Sequence, residues 1–407
     1  MTPAAPVSRR AVLTLGLAAT LSATGPARGA DGVTLAQQNP VDRAGQERLL
    51  QAFHRQSGVA VRTRYLATPE IARRQYRAWL GARDSGVDVY VIDGVWTAEL
   101  AAAGWLSPLD DRLDAGARGA YLPGPLAAGT WRGALYALPC SAESGVLYYR
   151  SDLVETPPFS WPDLVQIASR LTTPRLAGYV FPGKPSEGLV VSYLEILWAM
   201  GGQMLDAEGR VAVNSPHGVH ALEFLAGLVR TSLVAPRGVL AYAERETLRE
   251  FAAGRAVFLR SWSDAWPVIQ APDSAVRDRV ALAPLPGPAV LGGHHVAISA
   301  WSERPDDAWR LARYLVSAEA QRFRAVAEGR VPARRDLFDD PEVRRANPQW
   351  ARMDRALGQI RPRPASPVYQ ELSAILQRGL ASALLGTAAP RDALDEAARQ
   401  MELLLPA

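Results

Sequence analysis

The chain has 407 residues, a net charge of +4, and 48% hydrophobic and 21% charged residues, a composition typical of a globular rather than a disordered protein. Its arginines are interleaved with acidic residues, which disfavours a nucleic-acid-binding surface. Lys184 is the only lysine and Cys140 the only cysteine. This disfavours a phosphate-binding loop and a Schiff-base enzyme, and it leaves no disulfide within one chain.

The N-terminal residues predict an export signal. Arg9-Arg10 precede an apolar stretch, residues 11–21, and small residues follow it. The stretch is too short to span a bilayer, so we predict a removed signal peptide over residues 1–30. The paired arginines favour the twin-arginine route over Sec export. No cysteine is close enough to carry a lipid anchor, and we expect a soluble periplasmic protein.

Strands and helices alternate along the first part of the chain. Hydrophobic spacing predicts strands at 33–37, 59–65 and 87–92 and helices at 45–56, 73–80 and 96–103. This alternation predicts a mostly parallel sheet covered by helices. Residues 133–139 are predicted as one strand, which leads through small residues into another strand at 146–149.

A second α/β set follows in the predicted elements. Its strands are expected at 178–181 and 256–259, and its helices at 161–171, 187–200, 218–230 and 244–253. An extended segment at 280–287 then precedes a strand at 295–299 and helices at 305–316, 371–384 and 389–404. We expect this fold to belong to the α/β class.

Sequence patterns give no positive evidence for catalysis or for a cofactor. His217 and His220 have helical spacing, but no third ligand lies nearby, so we predict no metal site. The chain contains no Gly-x-Ser-x-Gly, His-Glu-x-x-His or Gly-x-Gly-x-x-Gly motif. We therefore expect a binding protein and not an enzyme.

Acidic and aromatic residues stand at predicted strand ends and between the two α/β sets. Asp93 and Trp96 follow one strand, Glu143 lies among small residues, Trp262 follows another strand, and Arg363 lies near the C-terminus. Sugars are bound by such groups, because flat rings contact the C–H faces while carboxylates and guanidinium groups hold the hydroxyls. The carboxyl ends of strands in open α/β sheets are where such ligands bind. This combination predicts a sugar site.

Several segments resemble the family of ABC-transporter extracellular solute-binding proteins that contains the maltose- and trehalose-binding proteins. The resemblance is carried, in order, by residues 88–96, 133–150, 187–202, 251–262, 280–293 and 361–369. It implies the two-lobed periplasmic binding protein fold of type II, each lobe a mostly parallel sheet flanked by helices. Three hinge crossings are expected near 140–143, 283–287 and 331–335. The N-terminal lobe would comprise 31–140 and 287–333, and the C-terminal lobe 141–286 and 334–407.

The same resemblance implies a set of ligand-binding residues. In it Glu143 matches a hinge carboxylate, Trp262 a stacking platform and Arg363 a guanidinium that caps a hydroxyl pair. His294 is a departure, because sugar-binding relatives often carry tryptophan there. The complete predicted set is Gln38, Asn39, Asp93, Trp96, Glu143, Glu187, Trp262, Gly293, His294 and Arg363.

The implied ligand is a disaccharide or oligosaccharide of the trehalose or maltose type, delivered to a membrane permease by a monomeric protein without cofactors. Two alternatives remain open at this point. One keeps the fold and changes the ligand to a polyol or a glycerophosphodiester. The other is an exported carbohydrate-active enzyme that would use Asp93 and Glu143 as its two carboxylates.

Overall fold

The computed structural model describes residues 32–352 and 360–405. The predicted signal peptide at 1–30 lies outside these residues. Within the described part of the chain, no helix combines the length and the apolar character needed to cross a bilayer.

The chain forms strands and helices in the predicted alternation. The strands are β1 (Gly32–Gln38), β2 (Ala60–Leu66), β3 (Val89–Asp93), β4 (Thr130–Trp131), β5 (Ala134–Leu135), β6 (Ala137–Pro139), β7 (Gly145–Arg150), β8 (Ala177–Val180), β9 (Ala256–Trp262), β10 (Val280–Ala283), β11 (Ala289–Val290), β12 (His294–Ile298) and β13 (Ile360–Arg361). The helices are α1 (Arg43–Ser57), α2 (Pro69–Gly81), α3 (Thr97–Ala102), α4 (Ala115–Gly119), α5 (Pro123–Ala128), α6 (Trp161–Leu171), α7 (Glu187–Ala199), α8 (Pro216–Arg230), α9 (Glu244–Ala252), α10 (Trp266–Ile269), α11 (Pro305–Leu315), α12 (Ala318–Glu328), α13 (Pro341–Ala346), α14 (Tyr369–Leu385) and α15 (Pro390–Glu402).

Two sheets, one in each lobe, organise the fold. The first has the order β2-β1-β3-β12-β6, and the second has the order β10-β7-β9-β8. Helices cover both sheets, and the two-lobed α/β architecture agrees with the sequence-based expectation. Each sheet has its own buried apolar core.

Both sheets are mixed, whereas the sequence pattern predicts mostly parallel ones. β1 pairs in parallel with β2 and β3, and β8 pairs in parallel with β9. β12 is antiparallel to β3 and β6, and β7 is antiparallel to β9 and β10. β7 and β12 each enter their sheet from the other lobe. They do not follow a helical crossover, which is the connection that joins parallel neighbouring strands.

Residues 133–139 do not form the single strand that we predicted. Arg132 and Gly133 both have positive φ angles, 48° and 83°, and they form the turn of a short hairpin between β4 and β5. β6 then leaves this hairpin and joins the first sheet beside β12. Residues 134–135 pair with β4, whereas residues 137–139 pair with β12. The segment therefore forms two strands.

Local signals explain the helix that follows the first strand. The Asp42 side chain accepts a hydrogen bond from the Gly45 amide and caps α1 at its start. At its end, Gly58 has a φ of 75° and its amide donates to the His54 carbonyl. The connection from β1 to α1 is short, from residue 39 to residue 42. The carboxyl end of β1 therefore lies close to the start of α1, at the edge of the first sheet.

The chain passes between the lobes in extended segments. β6 of the first sheet leads through residues 140–144 into β7 of the second, and β10 leads back through 284–293 into β12. Later, α13 packs against α12, while residues 348–352 contact β10. The predicted crossings at 140–143 and 283–287 overlap these segments, whereas Arg334 and Arg335 pair with Tyr121 and Ala120 of the first lobe. The position of the third crossing and the boundaries assigned to the lobes stay a prediction.

Candidate functional site

Two cavities lie at the edge of the first sheet, where β1 and β3 end and β12 begins. The larger cavity has a volume of about 360 Å³, and its walls include Asp93, Gly293, His295 and Arg363. The smaller cavity has a volume of about 100 Å³, and its walls include Gln37, Gln38, Asn39, His294 and Arg330. Side chains alternate between the two faces of a strand, so β12 separates the cavities.

Arg363 links the two lobes beside the larger cavity. Its side chain is only 4% exposed. One terminal nitrogen donates to Glu187 Oε1 at 2.9 Å, and the other donates to Asp93 Oδ1 at 3.2 Å. Asp93 ends β3 in the first lobe, whereas Glu187 begins α7 in the second. The guanidinium therefore bridges the cleft between the lobes.

Electrostatics keep this bridge charged. Burial alone would lower the pKa of Arg363, but Asp93 and Glu187 outweigh it and raise that pKa above its ordinary value. Glu187 also accepts hydrogen bonds from the hydroxyls of Tyr369, at 2.6 Å, and Ser373. A further donor of this guanidinium, Nε of Arg363, is buried and has no partner among the described residues.

Glu143 occupies the hinge, as the resemblance implies. It is 3% exposed and accepts hydrogen bonds from the Ser141 hydroxyl at 2.8 Å and from Nη1 of Arg330 at 3.2 Å. Burial raises the pKa of Glu143 to about 7, against the opposing effect of Arg330. The same Nη1 also reaches Asp264 Oδ2 in the second lobe at 3.4 Å.

His294 joins this hinge network as a neutral group. Its amide donates to the Ser141 hydroxyl oxygen at 3.0 Å, and its Nδ1 lies 3.3 Å from Nη1 of Arg330. Burial and the nearby Arg330 charge hold the pKa of His294 well below its ordinary value. The imidazole thus offers hydrogen bonds where a tryptophan would offer a flat apolar face.

Trp262 lies near the larger cavity but does not line it. The tryptophan is half-buried at the end of β9, and the guanidinium carbon of Arg260 lies 4.3 Å from its ring centroid. A Cβ atom at Gly292, which is part of the cavity wall, would approach the indole Cζ3 to 2.8 Å. Gly292 therefore separates the indole from the cavity.

Trp96 is not brought into either cavity. Its side chain is 4% exposed and packs edge-to-face against Tyr76, with the ring centroids 6.2 Å apart. It belongs to the core between the first sheet and α2. A tryptophan that follows a strand by three residues can point into the core or into a cleft, and here it points into the core.

The predicted site residues thus fall into three groups. Asp93, Gly293 and Arg363 line the larger cavity, and Glu187 is bonded to Arg363. The smaller cavity is lined by Gln38, Asn39 and His294, with Glu143 bonded to its Arg330. The two tryptophans, Trp96 and Trp262, line neither cavity.

Sequence reasoning missed several residues that the structure places at these cavities. Gln46 in α1 and Glu328 and Arg330 at the end of α12 line the smaller cavity. In a chain with 45 basic residues, nothing in the pattern separates Arg330 from its many neighbours of the same type. Within residues 32–352 and 360–405, no group of histidine, cysteine or acidic residues could hold a metal ion.

Comparisons with known proteins give a consistent answer. A family model described as bacterial extracellular solute-binding protein matches residues 48–350. A probable ABC transporter-binding protein from Deinococcus radiodurans is 34% identical over 340 residues, which are 78% of this chain and 80% of the relative. The structure of maltose-bound MalE3 from T. maritima is 31% identical, with a TM-score of 0.86 and coverage of 92% of this chain and 100% of that one. A solute-binding protein from Agrobacterium radiobacter K84 in complex with ribitol is 27% identical, with a TM-score of 0.81 and coverage of 92% and 99%.

Proposed function

The chain belongs to the bacterial extracellular solute-binding proteins, and from that premise we propose that it captures a neutral disaccharide or oligosaccharide for an ABC importer. The leading candidates are α-glucosides such as maltose and trehalose. The similarity to the maltose-bound protein supports this choice of ligand. In this proposal the protein is exported by its Arg9-Arg10 signal, acts as a monomer in the periplasm, and delivers the sugar to a membrane permease.

The observation that carries the proposal is the Arg363 bridge. Its guanidinium touches a carboxylate from each lobe, and Arg363 is part of the wall of a cavity of about 360 Å³. That volume is within the usual range for small-molecule sites, ~300–1,000 Å³. A hydroxylated ligand there would accept from the Arg363 guanidinium and donate to Asp93, and so would contact groups from both lobes.

The charge balance of the larger cavity supports a neutral ligand. Arg363 is shared between Asp93 and Glu187, so the positive charge that a phosphate needs is already neutralised. A glycerophosphodiester would have to displace one of these carboxylates. We therefore place sugars and polyols ahead of phosphate-bearing solutes.

A polyol is the second candidate, because a specific feature of the larger cavity favours it. No tryptophan, tyrosine or phenylalanine is among the residues that line this cavity in the described part of the chain. Sugar rings gain much of their affinity by stacking on such side chains, whereas an acyclic polyol presents no flat face and needs only hydrogen bonds. The similarity to the ribitol-bound protein supports this alternative.

The proposed mechanism is a shift between open and closed arrangements of the lobes. A ligand shifts such an equilibrium only by contacting the two arrangements differently. Arg363 and Arg330 both contact acidic residues across the cleft, Asp93 in one case and Asp264 in the other. A sugar that contacts Asp93 and Arg363 together would add its own hydrogen bonds to this bridge only when the lobes are closed.

Isothermal titration calorimetry tests the proposal directly. The mature protein is titrated with maltose, trehalose, ribitol and glycerophosphocholine. Binding of maltose or trehalose supports the first candidate, and binding of ribitol alone supports the second. Glucose release is measured in parallel, because an exported hydrolase would liberate glucose from maltose whereas the proposed binding protein would not.

A further inference from the structure

Four charged residues form a contact between the two lobes outside both cavities. Arg73 and Arg77 lie in α2, Glu99 lies in α3, and Glu371 lies in the first turn of α14. We call this group the interlobe charge cluster. None of the four is among the described residues that line the larger or the smaller cavity. The cluster therefore joins the lobes at a place that a ligand in either cavity does not occupy.

The helices that carry the cluster belong to different lobes. Buried residues of α2 and α3, such as Tyr76 and Leu100, pack with β3 in a core of the first sheet. Buried residues of α14, such as Leu372, belong to the core of the second sheet. A movement that separates the two sheets therefore moves Glu371 away from the arginines of α2.

Part of the cluster forms within the first lobe. Nε and Nη2 of Arg73 donate to the two carboxylate oxygens of Glu99 at 2.9 and 2.8 Å, and Nε of Arg77 lies 3.2 Å from Glu99 Oε1. The side chains of Arg73 and Glu99 are only 20% and 11% exposed. Because these contacts lie inside one lobe, they persist when the lobes separate, and they hold both guanidinium groups in position.

The remaining contacts of the cluster cross between the lobes. Glu371 Oε1 lies 3.5 Å from Nη2 of Arg73 and 3.6 Å from Nη1 of Arg77. In the first lobe, two arginines face one glutamate, Glu99, so that this part of the cluster carries one excess positive charge. Glu371 neutralises that charge only from the other lobe. Attraction between opposite charges therefore favours the arrangement in which the lobes are closed.

The partial exposure of these side chains limits the size of the effect and makes it depend on salt. Arg77 and Glu371 are 44% and 42% exposed, and an exposed ion pair changes an equilibrium by up to roughly fivefold. Salt weakens such pairs, because the screening length falls from ~10 Å at 0.1 M to ~3 Å at 1 M. The interlobe pairs are thus strong enough to shift a balance between two arrangements but too weak to lock one of them.

We propose that the interlobe charge cluster keeps a measurable fraction of the protein closed in the absence of ligand. The cluster thereby raises the affinity for any ligand that binds the closed form, since the apparent Kd is the intrinsic Kd divided by the competent fraction. Arg77 and Glu371 thus influence binding without contacting the ligand. The proposal rests on the open and closed arrangements of the proposed function, but it does not depend on the identity of the ligand.

Distance measurements on the ligand-free mature protein test this proposal. Nitroxide labels are attached at Ala78→Cys in α2 and Ala374→Cys in α14, which are exposed positions on the two helices that separate when the lobes open. Cys140, the only native cysteine, is buried and does not compete for the label. Electron paramagnetic resonance then gives the distribution of distances between α2 and α14, and hence the closed fraction.

Charge reversals and a matched control are compared in this labelled protein. Glu371→Arg replaces attraction across the lobes with repulsion, and Glu371→Arg combined with Arg77→Glu restores opposite charges on the two sides. Glu250→Arg is the control, because Glu250 pairs with Arg255 inside the second lobe, with both bonds at 2.7 Å. The unfolding midpoint of each variant confirms that it is folded. Wild type is also measured at 0.1 M and 1 M salt, which tests the cluster without any substitution.

We expect Glu371→Arg to lower the ratio of closed to open protein by roughly tenfold, and we expect Glu250→Arg to leave it unchanged. The double reversal should restore the closed fraction, and 1 M salt should lower it in wild type. Equal distance distributions in wild type and Glu371→Arg would overturn the proposal, as would a wild-type distribution that does not respond to salt. Failure of the double reversal to restore closure would also overturn it, because the effect would then come from lost packing and not from charge.

The design separates this proposal from the proposed function, because the distance measurements use no ligand. If maltose fails to bind wild type while the distances respond to charge reversal and salt, only the disaccharide proposal fails. If maltose binds and the distances do not respond, only the proposal for the charge cluster fails. Where maltose binds, its Kd should rise in Glu371→Arg by the same factor by which the closed fraction falls. An unchanged Kd beside a reduced closed fraction would overturn the role of the cluster in affinity.

Discussion

Replacing Arg363 with methionine should weaken sugar binding strongly. The change removes the buried guanidinium, which donates to Glu187 at 2.9 Å and to Asp93 at 3.2 Å and belongs to the wall of the larger cavity. A hydrogen bond from a charged donor to a ligand contributes about 1.5–3 kcal/mol. We therefore expect the Kd for maltose or trehalose, whichever binds wild type, to rise roughly 10- to 150-fold.

The matched control for this experiment is Arg150→Met. Arg150 is also a largely buried arginine held by a carboxylate, with bonds of 2.6 and 2.5 Å to Asp152, but it lies at the far end of β7 from the hinge. Both variants lose an ion pair, and we expect only Arg363→Met to lose affinity in calorimetry. An unchanged Kd in folded Arg363→Met would refute the assignment of the guanidinium to the ligand site.

Three further predictions concern Glu143 in the hinge, Gly292 in the wall of the larger cavity, and Arg260 in the core of the second sheet. Because burial raises the pKa of Glu143 from 4.5 to about 7, its contribution to stability is complete below pH 4.5 and is lost as the pH rises through about 7. The unfolding free energy of wild type relative to Glu143→Gln should therefore fall across that window, and a constant difference would contradict this. Gly292→Ala should weaken sugar binding, because its Cβ would lie 2.8 Å from the Trp262 ring and overpacking that shifts this part of the cavity wall costs about 1–3 kcal/mol; wild-type affinity in calorimetry would argue against Gly292 as part of the wall of the ligand site. Arg260→Met should lower the free energy of unfolding in urea by about 3–5 kcal/mol, because it leaves the fully buried Glu195 carboxylate without its cation; a loss below about 1 kcal/mol would contradict that reasoning.

Local patterns predicted most of the fold. The apolar spacing of Leu49, Leu50 and Phe53 and the stop at Gly58 are enough to predict α1, because a helix depends on residues within a few positions of one another. The strands that end at Gln38 and Asp93 were predicted for the same reason. The direction of β7 and β12 was not, because it depends on which lobe each strand comes from.

The site was harder to predict, because its contacts join distant parts of the chain. Arg363 and Asp93, both predicted as ligand-binding residues, line one cavity, yet the bond between Arg363 and Glu187 spans 176 positions and has no local signature. Trp96 follows a strand as a cleft residue would, but Tyr76 from α2 encloses it in the core. Only the tertiary packing decides whether a tryptophan at this position lies in the core or in the cleft.

The most direct test of the central claim is thermal unfolding of the mature protein against a panel of disaccharides, polyols and charged solutes. A ligand that binds only the folded state raises the unfolding midpoint by mass action. We predict a clear rise with maltose, trehalose or a polyol and none with glycerophosphocholine. A rise with glycerophosphocholine alone, and no response to any neutral carbohydrate, would contradict the assignment of a neutral ligand to the Arg363 cavity.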